Sequence, residues 1–91
     1  MNPVTLIFEW LQEGKWDATF VPAKYWFSHP VITVRCGLAT IWIHRHSSDC
    51  IKVWWQMLVC YESKFLNLCD PEFFVKLDLI FLTCREEALN F

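Results

Sequence analysis

Glycine is nearly missing from this chain, with two in 91 residues. Two glycines cannot build GxGxxG or GxxxxGK[ST], so dinucleotide chemistry and P-loop nucleotide hydrolysis have no support. HExxH and GxSxG are absent as well, which removes the usual metalloprotease and serine-hydrolase signatures. No pair of carboxylates stands in an obviously shared apolar setting. There is no Gly/Ser linker, low-complexity tract or internal repeat, and disorder over most of the length is not expected.

Long apolar runs are lacking too. The longest candidates, 51–61 and 73–82, are interrupted by Lys52 and Gln56 and by Lys76 and Asp78. Both fall short of the roughly 18 apolar residues that a membrane span needs. The first residues have no basic segment of the signal-peptide kind, and Glu9 breaks their apolar stretch. A soluble cytoplasmic protein with no membrane role is the expectation, folded as one domain over 1–91. The cysteines are Cys36, Cys50, Cys60, Cys69 and Cys84, an odd set without CxxC spacing. Secretion would favour an even set, so reduced thiols are expected, several of them buried as small hydrophobes.

What is present in excess is aromatic. Six Trp and eight Phe bring the aromatic share to 18%, within an apolar share of 55%. That is more ring surface than a small domain readily covers, which points to a partner or to self-association. The skew toward Trp, Cys and Phe also suits a viral or mobile-element accessory protein. Net charge is −2, which argues against a protein built around nucleic acid. The charge is graded along the chain: Lys24, Arg35, Arg45 and Lys52 face only Asp49 in the middle, whereas acids dominate from Asp70 onward.

Residues 2–13 read as a helix, with Asn2 as N-cap, Pro3 in its first turn and Gly14 as its stop. Leu6, Trp10 and Leu11 are its expected apolar face, with Phe8 to one side. Trp16, Ala18 and Phe20 alternate with Asp17 and Thr19, which suggests an edge strand over 16–21 ended by Pro22. Tyr25-Trp26-Phe27 is too apolar for a free loop, and His29-Pro30 is a turn signal.

Residues 31–57 carry the clearest pattern. As strands 31–36, 39–46 and 50–57, they turn at Gly37-Leu38 and at Ser47-Ser48-Asp49. Gly37 suits a type II′ hairpin, because it takes positive φ at the first central position. Cys36 then opposes Ala39, Val34 opposes Ile41 and Ile32 opposes Ile43. The second turn sets Arg45 against Ile51, Ile43 against Val53 and Ile41 against Trp55. Both registers place Ile32, Val34, Cys36, Ala39, Ile41, Ile43, Val53, Trp55 and Met57 on one side, and a one-residue slip would scramble this. Over 50–66 a helix capped by Asp49 competes with the strand, since Met57, Leu58, Cys60, Glu62, Lys64 and Leu66 do not look strand-like.

Asp70-Pro71-Glu72 is a helix start. On a helix, Phe73, Phe74, Leu77, Ile80, Phe81, Cys84 and Ala88 form one apolar face, and Val75, Leu79, Leu82 and Leu89 form a second stripe. A helix apolar on two sides is usually sandwiched, which favours a dimer. The alternation Val75-Lys76-Leu77-Asp78-Leu79 keeps a strand in contention there. The predicted fold is α+β: a small antiparallel meander packed by an N-terminal and a C-terminal helix.

Two constellations lie on the other side of the meander. His44 and His46 point to one face, and Cys50 sits opposite His46, a three-ligand start for zinc with Asp49 or a second chain as the fourth. H-x-H-x3-C is not a family signature and the ligand set is incomplete, so two exposed histidines and an inert thiol weigh more. A Cys–His nucleophile would need an orienting third group and an oxyanion site, and neither is in evidence, so no enzyme activity is expected. The second constellation is Trp42 opposite Trp54, ringed by Arg35, His44, Lys52 and Gln56. Trp and Arg are enriched at protein-binding hot spots. A covered second core layer is the next reading, and stacking of nucleobases the third. The expectation is a non-enzymatic binding or regulatory protein, a homodimer, acting on a protein partner through these residues. It needs no cofactor unless His44, His46 and Cys50 hold zinc.

Overall fold

The computed structural model describes residues 3–21, 30–57 and 60–89, without the side chains of 87–89. The elements are α1 (Pro3–Glu13), β1 (Asp17–Val21), β2 (Val31–Cys36), β3 (Ala39–Arg45), β4 (Cys50–Gln56), β5 (Tyr61–Asn67) and α2 (Phe73–Leu89). The strands form one antiparallel sheet in chain order, β1-β2-β3-β4-β5. The architecture is α+β, a meander with a helix from each end. The Asn2 cap, Pro22, Tyr25-Trp26-Phe27, His29, Leu58 and the side chains of Ala88 and Leu89 lie outside the described residues.

Both predicted registers are those observed. Cys36 pairs Ala39, Val34 pairs Ile41 and Ile32 pairs Ile43, and Ile41 pairs Trp55, Ile43 pairs Val53 and Arg45 pairs Ile51. Gly37 has φ 60° while Leu38 keeps a negative φ. Only a type II′ turn among the two-residue hairpins needs positive φ at the first position alone. At the second turn, the Ser47 and His46 amides both donate to the Cys50 carbonyl, at 3.0 and 2.9 Å. Arg45 braces that turn from within, Nε donating to the Ser47 carbonyl and Nη2 to that of Ser48.

Residues 50–56 are a strand, and the competing helix is set aside. The chain then adds a strand that was not expected, β5, at Tyr61–Asn67. It pairs β4 from Cys50↔Asn67 to Gln56↔Tyr61. Its pattern was hidden for a physical reason: β5 is an edge strand, and of its residues only Leu66 is buried. With both faces open there is no apolar alternation to read. Glu62 and Lys64 put charge on this edge, which discourages pairing with another chain.

The sheet's inner face is the core. Ile32, Val34, Ile41, Ile43, Ile51 and Val53 are fully buried there, in one cluster with Val4, Ile7 and Leu11 of α1 and Phe73, Leu77, Phe81 and Cys84 of α2. Both helices therefore lie on that side. The buried stripe of α1 is Val4-Ile7-Leu11, spaced three and four apart as a helix face requires. The predicted face is corrected here: Leu6 is 43% exposed, because it lies on the opposite side of the helix from Val4.

The α1 stop is also corrected in detail. The Trp16 amide donates to the Leu11 carbonyl and the Lys15 amide to that of Gln12, both at 3.0 Å. This is a Schellman motif, and its left-handed residue is Lys15, with φ 60°, not Gly14. Gly14 has a different duty, since a Cβ there would come within 3.0 Å of the Trp16 ring.

The helix start at 70–72 is borne out. The Asp70 carboxylate accepts the Glu72 amide at 2.8 Å and pairs with the Lys76 ammonium. The Phe73 amide closes a tight first turn onto the Asp70 carbonyl. α2 buries Phe73, Leu77, Ile80, Phe81 and Cys84 as predicted, whereas Phe74 is 41% exposed.

Candidate recognition face

Period-two alternation sends the other set of side chains to the outer face of the sheet. The registers arrange them in cross-strand rows. Thr19, Thr33, Trp42, Trp54 and Ser63 make one row. Val21, Val31, His44, Lys52 and Phe65 make the next, and Asp17, Arg35, Thr40, Gln56 and Tyr61 the third. Among the described residues no helix covers these rows, because both helices sit on the inner face.

Trp42 and Trp54 are directly opposed on β3 and β4. Their rings stack with centroids 6.0 Å apart and planes 17° from parallel. The His44 imidazole meets Trp54 edge-on at 4.9 Å. The Lys52 ammonium lies 5.7 Å from the Trp54 ring centroid and 5.8 Å from that of Phe65, within reach of both π-faces. His46 meets the Phe65 ring edge-on at 4.8 Å. The structure thus brings Trp42, Trp54, His44 and Lys52 into one contiguous group. Arg35 and Gln56 are exposed in the neighbouring row, either side of Thr40.

Two residues of this face went unread in the sequence. Tyr61 and Phe65 are 60% and 53% exposed, and β5 sets them on the outer face. No alternation marked them, because Ser63 and Asn67 share their face and Leu66 is the only buried residue on the other.

The histidines and Cys50 take other partners. His44 Nδ1–H donates to the Arg45 carbonyl at 3.1 Å, since that oxygen can only accept. The Cys50 thiol donates to the Ile51 carbonyl at 3.5 Å. Among the described residues no three His, Cys, Asp or Glu side chains are gathered closely enough to hold a metal ion. The His44 and His46 rings lie edge-on to Trp54 and Phe65. The Cys36 thiol, at the far end of β2, is pushed up by burial, with the Arg85 charge opposing.

No family model matches this chain, and no curated protein or solved structure matches it either. The face must be read from its own chemistry. It offers ring faces, ring edges and a cation held over aromatic carbon. These are contact chemistries, suited to holding a partner in register.

The described acids are unevenly placed about the sheet. Of the described acids, only Asp17 lies on the outer face, across from Arg35, and Asp49 lies in the β3–β4 turn. Glu9 and Glu13 are on α1, Asp70, Glu72, Asp78 and Glu86 are on or beside α2, and Glu62 is on the inner side of β5. No described helix is long and apolar enough to cross a membrane.

Proposed function

We propose that this is a small, non-enzymatic binding or regulatory protein of the cytoplasm that engages a protein partner through the outer face of its sheet. The observation carrying this reading is the stacked Trp42–Trp54 pair on a face against which neither helix packs. Supporting it are Phe65 and Tyr61 beside the pair, and Lys52, Arg35, His44 and Gln56 as polar groups around it. Large rings with charged or polar neighbours are the composition of binding hot spots. Partner residues laid across the pair would bury ring surface that a single sheet leaves wet.

The test is accessibility. Acrylamide quenching of the wild-type protein is compared with a Trp42→Phe/Trp54→Phe variant. The expected result is that the fluorescence contributed by these two tryptophans is readily quenched. Strong protection of both in a monomer would defeat the reading.

The same proposal includes self-association as a homodimer. Val75 and Leu79 on α2 are 60% and 58% exposed, a second apolar stripe that another copy would cover. Light scattering should then give twice the 10.9 kDa chain mass, and a clean monomer would remove this part.

A second reading is supported by the scarcity of acids on the outer face: a single-stranded nucleic acid stacked on the rings with Arg35 and Lys52 near its phosphates. Titrating short single-stranded RNA at low salt, where such binding is strongest, should quench tryptophan fluorescence. An unchanged signal sinks that alternative.

A further inference from the structure

On the helical side, away from the sheet's outer face, an open groove of about 550 Å³ runs between the end of α1 and the first half of α2. Its walls are aromatic. Trp10 meets Phe74 at 5.2 Å between ring centroids, and the fully buried Phe81 lies beneath both Trp10 and Trp16, at 6.1 and 5.3 Å. Gly14 contributes bare backbone, and because a Cβ would meet the Trp16 indole at 3.0 Å, the glycine lets that ring come close to the turn. The rings are therefore held in place before anything binds.

The groove's charged groups are both carboxylates, Glu13 and Asp78. Neither has a hydrogen bond or ion pair to a described residue. An anion is repelled from such a groove. A wholly apolar occupant would strip water from two carboxylates and return nothing to them. An occupant with an apolar stem and a cationic tip satisfies both the walls and the carboxylates. The chain supplies its own precedent: the Arg85 guanidinium carbon sits 5.0 Å from the Trp16 ring centroid, outside the groove lining. One face of that indole already holds a guanidinium.

We propose that this groove binds the arginine side chain of a basic peptide segment, its stem laid across Trp10, Trp16 and Phe74 and its guanidinium paired with Glu13 and Asp78. A guanidinium suits the place because it stacks on flat rings while its N–H groups reach carboxylate oxygens. The site is distinct from the Trp42–Trp54 face. It borders the dimer stripe and shares Val75 with it, while Leu79 is not part of the groove lining.

The experiment is an NMR titration of the full chain, following the indole N–H signals, with a tri-arginine peptide and a tri-glutamate peptide at low salt. Assignment comes from Trp10→Phe and Trp16→Phe. The expected result is a saturable shift of the Trp10 and Trp16 signals with tri-arginine only. The Glu13→Gln/Asp78→Asn variant, which keeps side-chain size at two positions outside the core, should weaken binding about fivefold or more. No shift of these two signals at millimolar peptide overturns the proposal. So does an equal response to tri-glutamate, or undiminished binding by the charge-removed variant. None of these outcomes bears on the sheet face, whose Trp42 and Trp54 signals are read separately in the same spectra.

Discussion

Lys15 holds a left-handed backbone conformation, φ 60°, to close the end of α1. An L-residue with a Cβ adopts that conformation at a cost of about 1 kcal/mol or more. Glycine one position earlier does not relieve it, because the hydrogen-bond pattern makes Lys15 the reversing residue. Lys15→Gly should therefore stabilise the protein by up to about 1 kcal/mol, read as a higher urea midpoint at unchanged m. An unchanged or lower midpoint would show that the Lys15 side chain contributes more than the backbone relief. Trp42 and Trp54 admit a second test at the same scale. Their stack should give a coupling of roughly 0.5–1.5 kcal/mol in a double-mutant cycle to alanine. Zero coupling would mean that the rings are neighbours without interaction. Both truncations should cost less than Ile43→Ala, which opens a cavity in a fully buried site and should lose about 2–5 kcal/mol.

At the scale of the element, α2 depends on its first turn. Lys76 donates to the Asp70 carboxylate and, with the Glu72 amide, holds the Asp70 pKa below its ordinary value of 3.8. The same contact raises the Lys76 pKa above 10.5. A depressed carboxylate pKa stabilises the fold above the unfolded value, and that contribution is lost as pH falls through the folded value. The raised lysine pKa acts in the opposite sense, present below 10.5 and lost as pH rises past the folded value. Wild type should thus be more stable than Asp70→Asn at neutral pH, with the difference vanishing on acidification below about pH 4. Thermal melts of both proteins from pH 7 to pH 2 would show it, and a gap that persists at pH 2 would assign the effect to something other than charge. The start of α2 was legible beforehand because a cap is local chemistry, an oxygen acceptor placed beside free amides. The orientation of α1 was not. Leu6, Ile7, Trp10 and Leu11 are all apolar, so its sequence permits more than one buried arc. The sheet and α2 choose Val4, Ile7 and Leu11.

For the whole molecule, the described elements form two layers, with both helices against the same side of the sheet. Helices cover the inner face of the sheet, and the outer face keeps its rings. α2 in turn leaves Val75 and Leu79 in solvent. A second copy packed on that stripe should be lost with Leu79→Glu, which puts charge into an apolar contact. Light scattering would then report a monomer with an unchanged circular dichroism spectrum. A dimer that survives the substitution would place self-association elsewhere.

The two-faced pattern of β2, β3 and β4 was determined by the sequence alone. Gly37-Leu38 and Ser47–Asp49 set turn lengths, alternation set the faces, and only one register satisfies both. The opposition of Trp42 and Trp54 follows from that register. Tertiary structure decided the rest. β5 became a strand because β4 offered it an open edge, and it carried Phe65 and Tyr61 onto the tryptophan face. His44 and His46 turned to Trp54 and Phe65. The helices brought Trp10, Trp16 and Phe74 together across more than fifty residues of chain. The division has one physical cause. Local sequence shows contrast between a buried and an open face, and it is silent where both faces are open, or where a distant element chooses among several apolar arcs.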